Sequence, residues 1–363
     1  MSNKTYIISL KKHTDKYLTY QNFNKYFGKN KLWEHGNINR TIDFAYNEGN
    51  KELWDKHMII SNNFSPEQYK YLTNKSSLYK IVEKYDLANY KKFMQYHTDI
   101  DVNNLNQYKS LFTDNKIFIL RPTWGFARHG IQIFDTFDKF KNFMIESGIN
   151  EYNKAIERKK KSMDTPIYVL SEYLQNQLTI KNKLFNLRVF FLVSLVNNIY
   201  RTYLIKPIVI HTATKDYELN KDNIDITKII SASESEFDYT IDDLEKEIGK
   251  KKTTYIKNQI KHNLSYLFKI IKKTKCFESY KNVKNTYEIF GLDFISDKDC
   301  NIKLIEFNDR VGLTNYTDKF YDVLTVGILH STINKLYPKE YHVNIEKNIK
   351  KNVVRISSQK KYL

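Results

Sequence analysis

The stretch from Tyr287 to Asn308, YEIFGLDFISDKDCNIKLIEFN, constrains this chain more than any other. Two runs of strand-forming residues, Tyr287 to Ile295 and Ile302 to Phe307, flank the polar segment Ser296 to Asn301, so the whole predicts a β-hairpin. Along its second strand Leu304, Glu306 and Asn308 share one face, and Ile305 and Phe307 take the other. A turn centred on Lys298 and Asp299 sets Asp293 opposite Leu304 and Glu306 opposite Gly291. The two carboxylates are then diagonal neighbours over a residue that has no side chain. Two bare carboxylates about 5 Å apart repel by roughly 3 kcal/mol at an effective dielectric near 20, so something cationic belongs between them. Hard oxygen ligands in the order Asp, then Glu-x-Asn, suit Mg²⁺. A Lys or Arg side chain answers the same need, and the chain has many of both.

At 363 residues the chain has room for two or three domains, and its 41% hydrophobic and 15% aromatic content excludes a disordered polymer. Glycine and proline are scarce, 10 and 5 residues, so no flexible linker is legible and tightly joined domains are expected. The formal charge of +18 attracts acidic partners, whether nucleic acid, an anionic membrane or an acidic protein tail. Charge alone does not choose among them, and an A+T-rich coding sequence, visible as excess Lys, Asn, Ile and Tyr, supplies part of it. Cys276 and Cys300 make neither a metal-type spacing nor a disulfide framework. The first residues, MSNKTYIISLKKHTDKY, lack an apolar signal core. The longest strongly apolar run, Val189 to Val196, is far too short to span a bilayer. A soluble protein of a reducing, cytoplasmic compartment is expected, without membrane association.

Taken in order, a first strand is predicted over Thr5 to Leu10, followed by weakly periodic aromatic sequence around Trp33 and Trp54. Leu78, Ile81 and Val82 stand at helical spacing and predict a helix from Lys75 to Lys84, capped by Thr73-Asn74. Lys75 then stands in the first turn, where a cation opposes the helix dipole: a solvated surface residue or a phosphate ligand. Residues 116–134, KIFILRPTWGFARHGIQIF, predict strand, loop and strand, with Arg121, Arg128 and His129 placing positive charge about a loop punctuated by Gly125 and Gly130. A polar helix from Asp138 to Lys161 and a buried strand from Ile167 to Leu174 follow. In Leu184 to Ser194 an apolar strand carries Asn186 and Arg188 on one face. An Arg inside such a run needs a carboxylate or a ligand. His211 closes the next strand, which starts at Tyr200. Residues Lys215 to Leu244 are expected as a polar surface excursion. Tyr255 to Lys272 forms an amphipathic helix, Thr317 to Leu336 a last helix, and Lys347 to Leu363 a basic, frayed tail that is either solvated or a docking surface.

This order of parts, from about Lys75 to Asn308, resembles the ATP-grasp superfamily and, within it, the tubulin-tyrosine ligase-like family. Asn74-Lys75-Ser76-Ser77-Leu78-Tyr79-Lys80 looks like the family's short lysine motif at the start of the central domain. Phe118-Ile119-Leu120-Arg121-Pro122, followed by Gly130-Ile131, is similar to its strand, Lys-Pro pair and glycine-rich loop. Leu184-Phe185-Asn186-Leu187-Arg188-Val189 matches its Lys-Phe-Asp-Ile-Arg-Val box, with Ser171-Glu172-Tyr173-Leu174 at the place of the adenine hinge. Phe290-Gly291-Leu292-Asp293 and Glu306-Phe307-Asn308 match the metal motifs. The chain departs from the pattern around the nucleotide. Arg121 stands for Lys, Arg128 for the first loop Gly, Leu184 for Lys, Asn186 for Asp, His211 for Arg, and Asp309-Arg310 for small residues.

The resemblance implies an α+β, ATP-grasp fold in which two α/β lobes clasp a nucleotide, with a small N-terminal α/β domain. The implied domains are 1–72, 73–174 and 175–363. It implies an ATP- and Mg²⁺-dependent ligase that joins an amino acid to an acidic protein acceptor such as tubulin through an acyl phosphate. The alternative is a degenerate relative that binds acidic tails without turnover. The implied roles are ATP contacts from Lys75, Arg121, Arg128, Gly130, Ile131, Glu172, Tyr173 and Asn186, metal ligation by Asp293, Glu306 and Asn308, and catalysis by Arg188 and His211. The implied partners are a free amino acid and the acceptor protein. No nucleic-acid recognition motif is present.

Overall fold

A computed structural model describes residues 3–8, 16–36, 43–46, 58–61, 72–86, 89–113, 115–123, 130–158, 167–219, 228, 239–273, 285–308 and 316–360. Its spine is a pair of 14-residue antiparallel strands, β10 (Lys183–Val196) and β11 (Ile199–Thr212). The apolar run in β10 is continuous because both faces of the strand are covered. Phe191, Val193 and Leu195 point into one core, whereas Phe190 and Leu192 point into another. A fully buried side chain of this size contributes about 1.5–3 kcal/mol, and ten fully or nearly fully buried apolar residues lie on β10.

Around that spine runs a mixed sheet in the order β12 (Tyr239–Thr240), β11, β10, β13 (Thr286–Ser296), β4 (Ile60–Ser61), β3 (Phe44–Tyr46), β1 (Lys4–Ile8) and β2 (Trp33–His35). To it are added β14 (Ile302–Asn308) on β13, β15 (Val353–Lys360) on β11 and β9 (Thr179–Ile180) on β10. The N-terminal strands are parallel and reach the rest through the β4–β13 pair, so they extend the large sheet rather than forming one of their own. Helix α1 (Lys16–Gly28) buries Phe23, Tyr26 and Phe27, at the i, i+3, i+4 spacing of a helix face.

A second, four-stranded antiparallel sheet has the order β5 (His97–Asp99), β8 (Tyr168–Glu172), β6 (Phe118–Pro122) and β7 (Gln132–Phe134). Its core is rich in phenylalanine, with Phe118, Phe134, Phe137 and Phe140 packed together. Between the sheets lie α2 (Lys75–Tyr85) and α3 (Tyr90–Phe93), whose Leu78, Tyr79, Val82 and Phe93 belong to a core of the large sheet. The cap on α2 is the one expected: the Asn74 side chain accepts from the N–H groups of Ser76 and Ser77.

Several expectations change. The polar helix after β7 is broken into α4 (Phe137–Phe143) and α5 (Ile149–Arg158) by one π-helical turn, Met144–Gly148. The excursion after Lys215 ends in a helix, α6 (Ile241–Ile248), where Thr240 and Asp243 form a capping box. The amphipathic helix α7 begins earlier than its periodicity suggested, at Lys250, and runs to Lys273. The last helix divides into α8 (Asp318–Ser331) and α9 (Ile333–Leu336). As far as Lys360 the basic tail is not frayed; 361–363 lie outside the described residues. After a single turn, α10 (Lys347–Lys350), it returns as β15 and pairs with β11 from Ile199 to Ile205. Val354 and Ile356 pack against one core and Val353 against the other, which anchors the strand. No described helix is long and apolar enough to cross a membrane.

Candidate active site

The hairpin β13–β14 forms as expected, but its register differs. Asp297 Oδ1 accepts the Asn301 N–H at 2.7 Å and Cys300 takes a left-handed φ of +67°, which makes the turn one residue longer than a Lys298-Asp299 centre allows. Ser296 therefore pairs with Ile302 and Phe294 with Leu304. Continued unbroken, that register would throw Glu306 onto the face opposite Asp293. A bulge at Ile305 prevents this. Asp293 pairs directly with Glu306, and Gly291 with Asn308.

Since Arg188 on β10 also pairs with Asp293, a row of Arg188, Asp293 and Glu306 crosses three strands on one face. Arg188 Nε donates to Asp293 Oδ1 at 2.5 Å, and Nη2 donates to Oδ2 at 2.9 Å. Lys75, reaching from the first turn of α2, sets its Nζ 3.0 Å from Glu306 Oε1. The cation required between the carboxylates is thus supplied here by two side chains of the protein. Asn308 Nδ2 also reaches Asp293 Oδ2, at 3.4 Å. Burial pushes the Glu306 carboxyl up, but Lys75, Arg121 and Arg188 together outweigh it and hold the group below its ordinary value. For Arg188, burial would lower the guanidinium, and Asp293 more than offsets that, so it stays charged.

Arg121 stands beside this row and is differently placed. It is 8% exposed, and the groups it reaches are neutral: Nη2 donates to the Tyr79 hydroxyl at 2.6 Å and to Ser171 Oγ at 2.9 Å, and Nη1 to the carbonyl of Ile305, the bulged residue, at 3.3 Å. Its Nε has no partner. Among the described residues, Lys75, Arg121 and Arg188 are therefore three cations set against two carboxylates, Asp293 and Glu306, a surplus of one positive charge.

Arg121 also lines an open cleft holding about 600 Å³ of empty space, walled by Ile119, Leu184, Ile295 and Ile305 and by the segment from Ser171 to Leu174. Its apolar lining suits a ligand with a flat ring. Glu172 and Tyr173 line the cleft, but their backbone N–H groups donate to Tyr96 O and Ile117 O. Glu172 also lies 3.7 Å from Lys116. Asn186, two residues before Arg188 and on its face, is buried with Oδ1 unpartnered, and His211 stands directly opposite it on β11. Gly130 holds a φ of +75°, and a Cβ there would lie 2.9 Å from Pro122 Cγ, so the position accepts glycine alone. Gly130 and Ile131 do not line the cleft, and Arg128 lies outside the described residues.

The sequence places Tyr79 and Ser171 inside the lysine and hinge motifs but assigns neither of them a role. Tyr79 is one helical turn after Lys75, so it shares a face with it, and that spacing was a usable signal. His97, a neighbour of Arg121 and Lys80, was missed. Burial above all, and then those two cations, push its imidazole down to about 3, so it is neutral. Among the described residues no three His, Cys, Asp or Glu side chains cluster as a metal site. The oxygens available are two carboxylates and the Asn308 amide on adjoining strands, a hard donor set that fits Mg²⁺ shared with a phosphate.

A model described as the tubulin-tyrosine ligase family matches residues 52–346 of the chain. Among curated proteins no match is found.

Proposed function

Because the chain belongs to the tubulin-tyrosine ligase family, we propose that it joins an amino acid to a protein acceptor, using ATP to activate a carboxylate. The observation that carries this reading is the surplus cation: Arg121, buried beside two paired carboxylates and hydrogen-bonded to neutral groups among the described residues, faces an apolar-walled cleft. A triphosphate is the kind of anion that would satisfy it.

In this reading the γ-phosphoryl group passes to a carboxylate oxygen, giving an acyl phosphate and ADP. An amine then attacks the acyl carbon, and the C–O bond to phosphate breaks as the amide forms. Repulsion between the carboxylate and the triphosphate opposes the first step, so positive charge fixed in advance lowers its barrier. Lys75 holds the transferring group, and Arg121 the phosphates behind it. Two of the five N–H groups of Arg188 go to Asp293, which leaves donors for the acyl phosphate and the oxyanion that follows. Asn186 and His211 orient the substrate beside it. Bound by Asp293, Glu306 and Asn308, Mg²⁺ would supply charge neutralisation at the phosphate oxygens. The acceptor is an acidic protein, in keeping with the family and the basic charge.

Two measurements test this. ATP affinity with and without Mg²⁺ should fall at least about tenfold in Glu306→Gln, with the metal dependence lost. Purified protein with ATP, Mg²⁺, tubulin and labelled tyrosine, glutamate or glycine should incorporate label. Metal-dependent ATP binding without incorporation would limit the reading to nucleotide binding, and ATP binding indifferent to Glu306 would overturn it.

A further inference from the structure

At the end of the β10–β11 hairpin remote from Arg188, cations gather with no acid paired to them among the described residues. Arg201, Lys335, Lys350 and Arg355 come together there from β11, α9, α10 and β15, beside His330 of α8. Among the described residues no carboxylate forms an ion pair with Lys335, Lys350 or Arg355. Burial first, and then the mutual repulsion of these groups, push His330 down to about 4 and lower Lys335. A cluster held against its own repulsion costs stability unless an anion completes it.

The same place presents an open sheet edge. β15 pairs with β11 on one side, and among the described residues no strand pairs on the other. Eight residues of edge are about 26 Å long, and alternate N–H and C=O groups point outward along it. Positive charge flanks the edge from both faces. Arg355, opposite Tyr203, lies on the α8 side with the cluster, and Lys272 of α7 donates to Gln359 at 3.2 Å from the other side.

We propose that β15 and the cations around it are a docking site for an extended acidic polypeptide segment, rich in Asp and Glu, which adds to the sheet as a further strand. Backbone pairing supplies the affinity, and the flanking Lys and Arg side chains select acidic residues. Nucleic acid fits the same charge less well. Among the described residues Tyr255 is the one aromatic side chain that is largely exposed, and it lies against Asn301 in the hairpin turn rather than beside β15, so no ring is at hand for base stacking. Arg201 is eight residues along β11 from Val209, the residue opposite Arg188, which sets the dock about 26 Å from the reaction centre. Docking there is independent of turnover.

The test uses the full chain and a fluorescein-labelled oligoglutamate peptide, read by anisotropy. Lys350→Glu with Arg355→Glu should weaken binding about tenfold or more, while Lys261→Glu with Lys269→Glu on the exposed face of α7, an equal change of charge, should alter it less than about twofold. Hydrogen exchange should slow at amides of residues 353–360 when the peptide binds. If charge reversal lowers the melting temperature, Lys350→Gln with Arg355→Gln gives the same comparison. Equal weakening by both pairs, unchanged exchange along β15, or an oligonucleotide bound as tightly as the peptide would each overturn the proposal.

Discussion

The two ends of the β10–β11 hairpin handle charge in opposite ways. Near Arg188, two carboxylates are met by cations within 3.0 Å, in a setting where Asp293 is nearly sealed from water. Near Arg201, cations crowd one another with no acid paired to them among the described residues, and Lys350 and Arg355 are open to solvent. One strand pair thus carries, at one end, carboxylates paired with their own cations and, at the other, cations with no carboxylate paired to them among the described residues. The first kind of charge is expensive to remove and the second cheap, because a buried ion loses hydration that only its partner replaces.

That contrast can be broken most directly by truncation. Arg188→Ala leaves Asp293 buried and unpaired, and should cost about 3–5 kcal/mol in urea unfolding, whereas Arg188→Met with Asp293→Leu should recover much of that loss. Lys75→Ala should cost less, about 1–2 kcal/mol, since that pair is more open. It should also change the acid limb. Glu306 is held below its ordinary 4.5, so its contribution is present above that value and lost as pH falls through the lower folded value; without Lys75 the loss should begin at higher pH.

Histidines sharpen the comparison, because both ends hold one that resists protonation. His97 titrates near 3 in the folded chain, so the unfolded chain takes up its proton first, and stability should fall as pH drops from about 6.5 towards 3. His97→Gln should flatten that limb by about 1–2 kcal/mol in chemical denaturation, and His330→Gln by less, since His330 is depressed only to about 4. The smallest effect belongs to the open cations. Lys350→Ala or Arg355→Ala should move stability by less than about 0.5 kcal/mol.

Particular residues show why some of this was legible in the sequence. The Asn74 cap, the helical spacing of Leu78 and Val82, and the apolar run of β10 are local patterns with local causes, and each formed as expected. The tail was not legible. Val353 to Lys360 reads as basic and polar, and becomes a strand because β11 offers it an edge and two cores receive Val353, Val354 and Ile356. The helix α6 was hidden in a polar stretch, although Thr240 and Asp243 at capping-box spacing announced it. Tyr79, Ser171 and Ile305 come to Arg121 from a helix, a strand and a bulge far apart in the chain, and no spacing could foretell that meeting.

The sequence by itself determined that Asp293, Glu306 and Asn308 would stand on adjoining strands of a hairpin, and that Arg188 would need a partner, because strand alternation and the cost of a buried ion act locally. Tertiary structure decided the rest. A turn one residue longer than expected, compensated by a bulge at Ile305, turned Glu306 towards Asp293, and the packing of α2 against the sheet brought Lys75 to it. Side-chain facing flips with each residue of register, so such a choice is settled only when neighbouring elements dock.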